Sequence, residues 1–382
     1  MSTRLYGPDG RVLPPSTLGI APAVVGLSKK THTNPSAEDA CISAAVQAHR
    51  GCDFPLPVVF GREIVGVVEG RRFDPRVTFT RTSRRFWATG WQTYDQIIAS
   101  LTAGQRLMNY FTKTHTTAPV ANNWQDLWTL GGMPSAGAFG GAASTAVQFS
   151  DATVGSLYTG GNVSNVKAIL SAWASASAGT PSLVIYDRVL TYEANVHNNT
   201  VNKLMTNTLT AQRYVTNGTS GMKIVCSVQT VQGATAGNLT QLRYTNQAGT
   251  TLQTMPTSPT VSFIVSAAAP TATLGARVIA PATAAATLPW GPYIPLAVGD
   301  SGARLINDFT TSSANTGTFT FILARPLFSI GTATAGVVSQ LDAVYQIASL
   351  EPVLNGACVA FLAYFPAATA ATIQGSLDVG WN

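Results

Sequence analysis

The stretch GTFTFILARPLFSI (317–330) decides the fold, because it is a long run of β-branched, aromatic and aliphatic residues that favour strands. Glycine, asparagine, serine, threonine and proline surround it, and these residues form turns. Similar runs recur on both sides of it: SLVIYDRVLTY (182–192), GMKIVCSVQTV (221–231), LTQLRYTN (239–246), TVSFIVSA (260–267) and ACVAFLAYF (357–365). No long helix and no internal repeat is expected between 135 and 340. Many short strands separated by turns predict a mainly β fold, with a jelly-roll or β-sandwich body over 114–382.

The first 35 residues differ from this body, because they are rich in proline and show no sustained periodicity. Proline and the residue before it avoid the helical conformation. We therefore expect an extended N-terminal arm over 1–35 that lies against a neighbouring molecule.

Residues 36–113 predict a small basic α+β portion. SAEDACISAAVQAHRG (36–51) has the pattern of a helix, with Ser36 as its N-cap. TYDQIIASLTAGQ (93–105) predicts a second helix, in which Thr93 and Gln96 form a capping box and Gly104 ends the helix.

Charge is scarce and unevenly placed along the 382 residues. Charged residues make up 10% of the chain, against roughly 25% in ordinary soluble proteins. Residues 1–113 carry 14 basic and 8 acidic side chains, whereas residues 114–382 carry 9 of each. Because exposed charge normally keeps soluble proteins apart, the neutral body indicates a surface that other subunits cover.

Arginine is concentrated in RRFDPRVTFTRTSRRF (71–86). Alternation in RVTFTRTSRRFW (76–87) favours strands joined in a hairpin. Aromatic residues are interleaved with these arginines, an arrangement that suits either single-stranded nucleic acid or a subunit interface. We favour the interface, and contact with packaged DNA stays open as an alternative. The predicted contact residues are Arg62, Arg71, Arg72, Arg76, Arg81, Arg84 and Arg85.

The segment VGDSGARL (298–305) is similar to the nucleophile loop of chymotrypsin-like serine proteases, with Ser301 in the place of the nucleophile. None of the four histidines has the sequence context of the base that such a serine needs, and Ala303 replaces the next glycine of that family. We predict a β-turn at this segment and no enzymatic activity.

Motifs for metals, phosphates and dinucleotides are absent from the sequence, so no cofactor is expected. The scattered carboxylates of Asp187, Glu193 and Asp308 could still be brought together by folding. The four cysteines are widely spaced and predict reduced thiols. No signal peptide or apolar span is found, so we expect a protein made in the host cytoplasm without membrane contact.

Four stretches of the chain resemble structural proteins of tailed double-stranded DNA bacteriophages. They are 93–128, RYTNQAGTTLQTMPT (243–257), 295–327 and LNGACVAFLAYFPAATAATIQGSLDVGWN (354–382). The resemblance implies a virion component that binds copies of itself, for which we expect a trimer, and neighbouring virion subunits such as the major capsid protein.

The shortness of the predicted helices argues against the spine helix of a tailed-phage shell subunit and favours a capsid decoration, cement or vertex protein. One alternative is a jelly-roll major capsid protein. Another is a tail or fibre module that binds carbohydrate through aromatic side chains, for which the candidates are Trp124, Trp128, Trp173 and Trp290.

Overall fold

The structure is a computed structural model that separates into two units, Met1–Arg85 and Phe86–Asn382. Each unit is described by itself. The described residues are 91, 93–116, 118–119, 121–196, 201–208, 213–214, 222–230, 238–257, 291–312, 316–346 and 350–382, together with the backbone of five short strands.

In the first unit, the described residues form one three-stranded sheet of β1 (Val25–Leu27), β2 (Leu56–Phe60) and β3 (Glu63–Val68). Strands β2 and β3 are antiparallel, and β1 joins β2 in parallel. Three residues of the predicted arm thus pair within a sheet. The rest of the arm, the predicted helix at 36–51 and the predicted hairpin at 76–87 lie outside the described residues.

The second unit begins with helix α1 (Tyr94–Thr102), which confirms the predicted helix and its capping box. The Thr93 hydroxyl accepts from the Gln96 amide at 3.3 Å, and the Gln96 side chain accepts from the Thr93 amide at 3.2 Å. Gly104 follows the helix with a φ of +77°, a left-handed conformation that suits glycine.

The described residues of the second unit also form eighteen strands and two short helical elements. The strands are β4 (Arg106–Thr114), β5 (Asn123–Asp126), β6 (Gly132–Met133), β7 (Ala146–Gln148), β8 (Lys167–Ala176), β9 (Ser182–Val196), β10 (Lys203–Leu204), β11 (Lys223–Val228), β12 (Asn238–Asn246), β13 (Gln253–Thr254), β14 (Val261–Ser262), β15 (Val278–Ile279), β16 (Ala303–Thr311), β17 (Thr318–Gly331), β18 (Ser339–Asp342), β19 (Pro352–Val353), β20 (Val359–Phe365) and β21 (Thr372–Trp381). The helical elements are a 3-10 turn (Leu127–Thr129) and α2 (Ala343–Gln346).

These strands form three sheets. The central seven-stranded sheet has the order β15-β11-β17-β9-β20-β5, with β7 beside β9. A six-stranded sheet has the order β18-β8-β21-β4-β6, with β19 beside β8. A five-stranded sheet has the order β10-β16-β12-β13, with β14 beside β12. Every pairing within these three sheets is antiparallel.

The central sheet packs against both of the other sheets and so forms two hydrophobic cores. Its long strands β9 and β17 have 15 and 14 residues and contribute to each core. Phe361 of β20 stacks on Phe111 of the six-stranded sheet at 4.4 Å between ring centroids. Phe319 and Phe321 of β17 meet Phe309 of the five-stranded sheet edge-to-face. The predicted β-sandwich body is therefore confirmed, as two sandwiches that share one sheet.

The division between the two units falls after Arg85, and the predicted portion 36–113 extends across it. Strand β4 pairs with β21 along its whole length from Arg106 to Thr114. Residues 106–113 therefore share a sheet with other strands of the second unit.

The close packing of β21 against its neighbours rests on Gly375. A Cβ atom placed on Gly375 would lie 2.2 Å from the carbonyl oxygen of Trp173 and 2.6 Å from the Phe111 ring. Since backbone cannot yield cheaply, we expect Gly375→Ala to lower the free energy of unfolding by about 1–3 kcal/mol. Chemical denaturation measures this. Gly331→Ala is the matched control, because its Cβ meets only the Ser182 hydroxyl, at 3.6 Å; an equal loss in both variants would contradict the packing argument.

Candidate interaction surface

The outer face of the six-stranded sheet lies opposite the first core. On β4 the residues Arg106, Met108 and Tyr110 are exposed, whereas Phe111 and Lys113 are buried. This alternation is the period of two expected for a strand with one face on the core and one on solvent. We define the outer face as Arg106, Met108, Tyr110, Ser171, Trp173, Gln340, Asp342, Ser376 and Asp378.

One row of the outer face carries an aromatic pair. The strand register places Tyr110 beside Ser376, Ser376 beside Trp173, and Trp173 beside Gln340. The Tyr110 and Trp173 rings meet edge-to-face with centroids 6.4 Å apart, across the small Ser376. Tyr110 remains 58% exposed. The row thus presents an aromatic ridge between hydrogen-bonding side chains.

The next row is polar and internally neutralised at one end. Met108 lies beside Asp378, and Asp378 beside Ser171. The Arg106 guanidinium donates two hydrogen bonds of 2.7 Å to the Asp378 carboxylate. That hydrogen-bonded pair raises the pKa of Arg106. Because this arginine is partly solvated, the pair contributes little to stability, and its main effect is to remove net charge from this end of the face.

The edge of this sheet is also unpaired over part of its length. Strand β6 bonds only to Thr112 and Lys113 of β4. Among the described residues no strand pairs with the outer edge of Arg106–Phe111, a segment that we name the free edge. Met108 and Met133 at this border are 44% and 58% exposed. A free edge beside exposed apolar side chains is a common feature of surfaces that bind another chain.

Lys113 fixes the loop at the end of the free edge. Its ammonium donates to the carbonyl oxygens of Leu130, Pro134 and Ser135 at 3.1, 2.9 and 3.3 Å. The side chain is 2% exposed. Burial lowers the pKa of Lys113 to about 8, and the more distant Asp126 opposes this shift.

The lowered pKa of Lys113 predicts a pH dependence of stability. The unfolded chain keeps the ordinary lysine pKa of 10.5. Between about pH 8 and 10.5 it therefore binds a proton that the folded protein has lost, so the Lys113 contribution to the free energy of unfolding rises with pH in this window. The difference in free energy of unfolding between the native protein and Lys113→Met, measured by urea denaturation at several pH values, should increase from pH 8 to 10. A difference that stays flat or falls would refute the assignment.

A buried ionic network lies on the face of the central sheet that is turned away from the two cores. Arg188 and Asp126 are 0% and 1% exposed and pair at 2.9 Å. The Tyr186 hydroxyl donates to the same carboxylate at 3.2 Å. Around the Arg188 guanidinium lie the rings of Trp128, Phe139 and Phe149, with centroids 4.8 to 5.6 Å away. The network joins the end of β5, and through Trp128 the turn that follows it, to β9 of the central sheet.

Removing one partner of this network should be costly. We expect Arg188→Met to lower the free energy of unfolding by about 3–5 kcal/mol, because Asp126 would stay buried without a cation. The double variant Arg188→Met with Asp126→Leu is the control and should regain part of that loss, since no charge is then buried. Thermal and chemical denaturation of both variants check this, and a double variant less stable than the single one would contradict it.

The three carboxylates that the sequence suggested as a cluster each have a separate partner. Asp187 pairs with Arg213 at 2.7 Å and accepts from the Cys358 amide. Asp308 pairs with Arg243 at 2.7 Å. Glu193 accepts from the Gly141 amide at 2.6 Å. In the described part of the chain, no group of three or more histidine, cysteine, aspartate or glutamate side chains could hold a metal ion.

The VGDSG segment forms a turn, as predicted. Gly299 has a φ of +92°, and the Asp300 carboxylate accepts from the Tyr244 hydroxyl and the Asn246 amide. Within the described residues no histidine hydrogen-bonds to Ser301. His115 lies in the first sandwich, edge-on to Phe365.

Other predicted site residues have mixed outcomes. All seven predicted arginines lie outside the described residues, so their contact role stays a prediction. Trp290 is also outside them. Trp128 is 1% exposed and cannot reach a ligand, so that carbohydrate candidate was wrong. Trp124 and Trp173 are half-buried. The free cysteines Cys226 and Cys358 are buried.

Sequence reasoning missed the outer face itself. Strand β8 (KAILSAWASA) is rich in alanine and serine, which have weak strand propensity. Strand β4 comes directly after helix α1, and no strand was predicted there. The alternation of RLMNYFTK was the available signal.

Comparison with protein families, with curated proteins and with solved structures found no match of this chain to any of them. No helix in the described part of the chain is long and apolar enough to cross a membrane.

Proposed function

We propose that this protein is a non-enzymatic structural component of a bacteriophage virion: a capsid decoration, cement or vertex protein that binds copies of itself and neighbouring shell subunits. The observation that carries this proposal is the outer face with its free edge. Exposed Met108, Tyr110 and Met133 lie there beside a strand edge that no strand of the described residues pairs with, in a body that carries few charges.

The architecture supports a binding role in a second way. Two sandwiches that share one central sheet place two hydrophobic cores in one body, and paired strands supply many of the residues of each core. A body whose strands are already ordered loses little conformational entropy when it is fixed between other subunits. The basic N-terminal unit would add electrostatic contacts, either to a shell subunit or to packaged DNA.

A second candidate is carbohydrate binding through the aromatic ridge. The exposed Tyr110 ring, the half-buried Trp173 and the neighbouring Gln340 would offer a surface for a sugar ring together with hydrogen-bonding groups. The edge-to-face arrangement of the two rings, at 66°, favours the first candidate, because it leaves no flat platform across both rings.

The proposal predicts that the chain is part of the particle. In a density-banded preparation of DNA-filled particles from the phage that encodes it, quantitative mass spectrometry should find the chain in a fixed ratio to the shell subunit. The major coat protein is the internal standard, and a host protein of similar abundance in the lysate is the control. A chain that stays in the soluble lysate would overturn the proposal. A chain that is itself the most abundant particle protein would make it the major capsid protein.

A further inference from the structure

We propose that the free edge of β4 pairs antiparallel with the same edge of a second copy of this chain, about a two-fold axis at Met108. The six-stranded sheets of the two copies would then form one continuous sheet. This inference rests on the proposed binding of one copy to another, and it names the segment that makes the contact.

Strand β4 has a strand partner along one side only over most of its length. That side pairs with β21 from Arg106 to Thr114, whereas its other side pairs with β6 only at Thr112 and Lys113. The free edge therefore offers a row of amide and carbonyl groups with no strand partner among the described residues. Another strand is the best partner for such a row, because a strand supplies donors and acceptors at the same spacing.

Strand β4 lacks the features that usually protect a sheet edge against pairing with another strand. Sheet edges are normally blunted by charged side chains, prolines, bulges or very short strands. The other edge strands of the two outer sheets, β10, β13 and β18, have two to four residues. In contrast, β4 has nine residues, no proline, and no register shift against β21. Its one exposed charge, Arg106, is neutralised by Asp378.

The free edge of β4 is also complementary to the same edge of a second copy. A two-fold axis normal to the sheet pairs the strands antiparallel and keeps both outer faces on the same side. The stretch from Arg106 to Tyr110 is centred on Met108. An axis there places Met108 against Met108, and Arg106 of each copy beside Tyr110 of the other. Methionine adapts to apolar surfaces, and an arginine over a tyrosine ring is attractive.

The register also avoids a steric conflict. Pairing centred on Met108 uses residues on the near side of Thr112, where β6 begins. An axis at Asn109 would instead place Arg106 against Thr112 of the second copy, whose outer edge already bonds to β6. The two-fold contact by itself gives a dimer, so it differs from the trimer that the sequence suggested.

The test is the mass of the full chain in solution, measured by light scattering during gel filtration after nuclease treatment. The substitution Met108→Lys would bring two like charges together on the axis, and we expect it to halve the mass of the assembly. Val298→Lys is the control, because Val298 is fully exposed on a turn of the other sandwich; it should leave the mass unchanged. An unchanged mass for Met108→Lys overturns the inference.

A cross-link provides a second measurement that does not depend on weakening the contact. In Met108→Cys the two thiols would face each other across the axis, within the Cα separation that a disulfide spans. Mild oxidation should convert this variant to a covalent dimer, and Ile98→Cys, an exposed position on α1, should stay monomeric on a denaturing gel. Failure of the Met108→Cys variant to cross-link contradicts the pairing.

These outcomes are separable from those of the proposed function. A wild-type chain that is monomeric in solution yet present in purified particles removes the β4 contact and leaves the virion role intact. A chain that dimerises through Met108 but is absent from particles keeps the contact and removes the virion role.

Discussion

The antiparallel pairing of β9 with β17 is the constraint on which the rest of the structure depends. These two strands pair from Ser182 to Val196, with register shifts at three places. Each shift bends the ladder and turns the next side chains, which lets one pair of strands supply residues to two cores. This shared pair therefore connects the two sandwiches within one unit.

Buried charged side chains connect other segments of the chain to strands β9 and β4. Arg188, Asp187 and Tyr186 are consecutive on β9, and each binds a partner from another segment of the chain. Salt bridges of this kind rarely add net stability, since desolvation offsets the Coulomb attraction. Their directional geometry instead selects one arrangement of the loop after β5 over others of similar hydrophobic content. Lys113 holds the part of the chain between β5 and β7 in place by donating to three of its carbonyl oxygens.

The structure shows where the few charged side chains of the second unit lie. In the second unit the described acidic side chains Asp126, Asp187, Asp308 and Asp378 are buried in pairs with arginine. Several of the few charges of the body are therefore neutralised by a partner, which lowers the net charge that its surface presents. A surface with little charge and exposed apolar side chains is suited to contact with other subunits.

The mainly β class, the α1 capping box and the turn at VGDSG could all be predicted from the sequence, because each depends on local preferences of a few adjacent residues. The strongly apolar strands β9, β11, β17 and β20 were predicted for the same reason. Strands β8 and β21 were not, because alanine, serine and glycine occupy places where neighbouring strands pack closely, as at Gly375. Strand β4 was missed although its sequence RLMNYFTK alternates.

Only the tertiary structure decided which strands share a sheet, which side chains form the outer face and which edge of β4 has no strand partner among the described residues. Tyr110, Trp173 and Ser376 are 63 or more positions apart in the chain, and strand register alone brings them together. Register is set by long-range pairing over the whole sheet, and no short stretch of sequence encodes it.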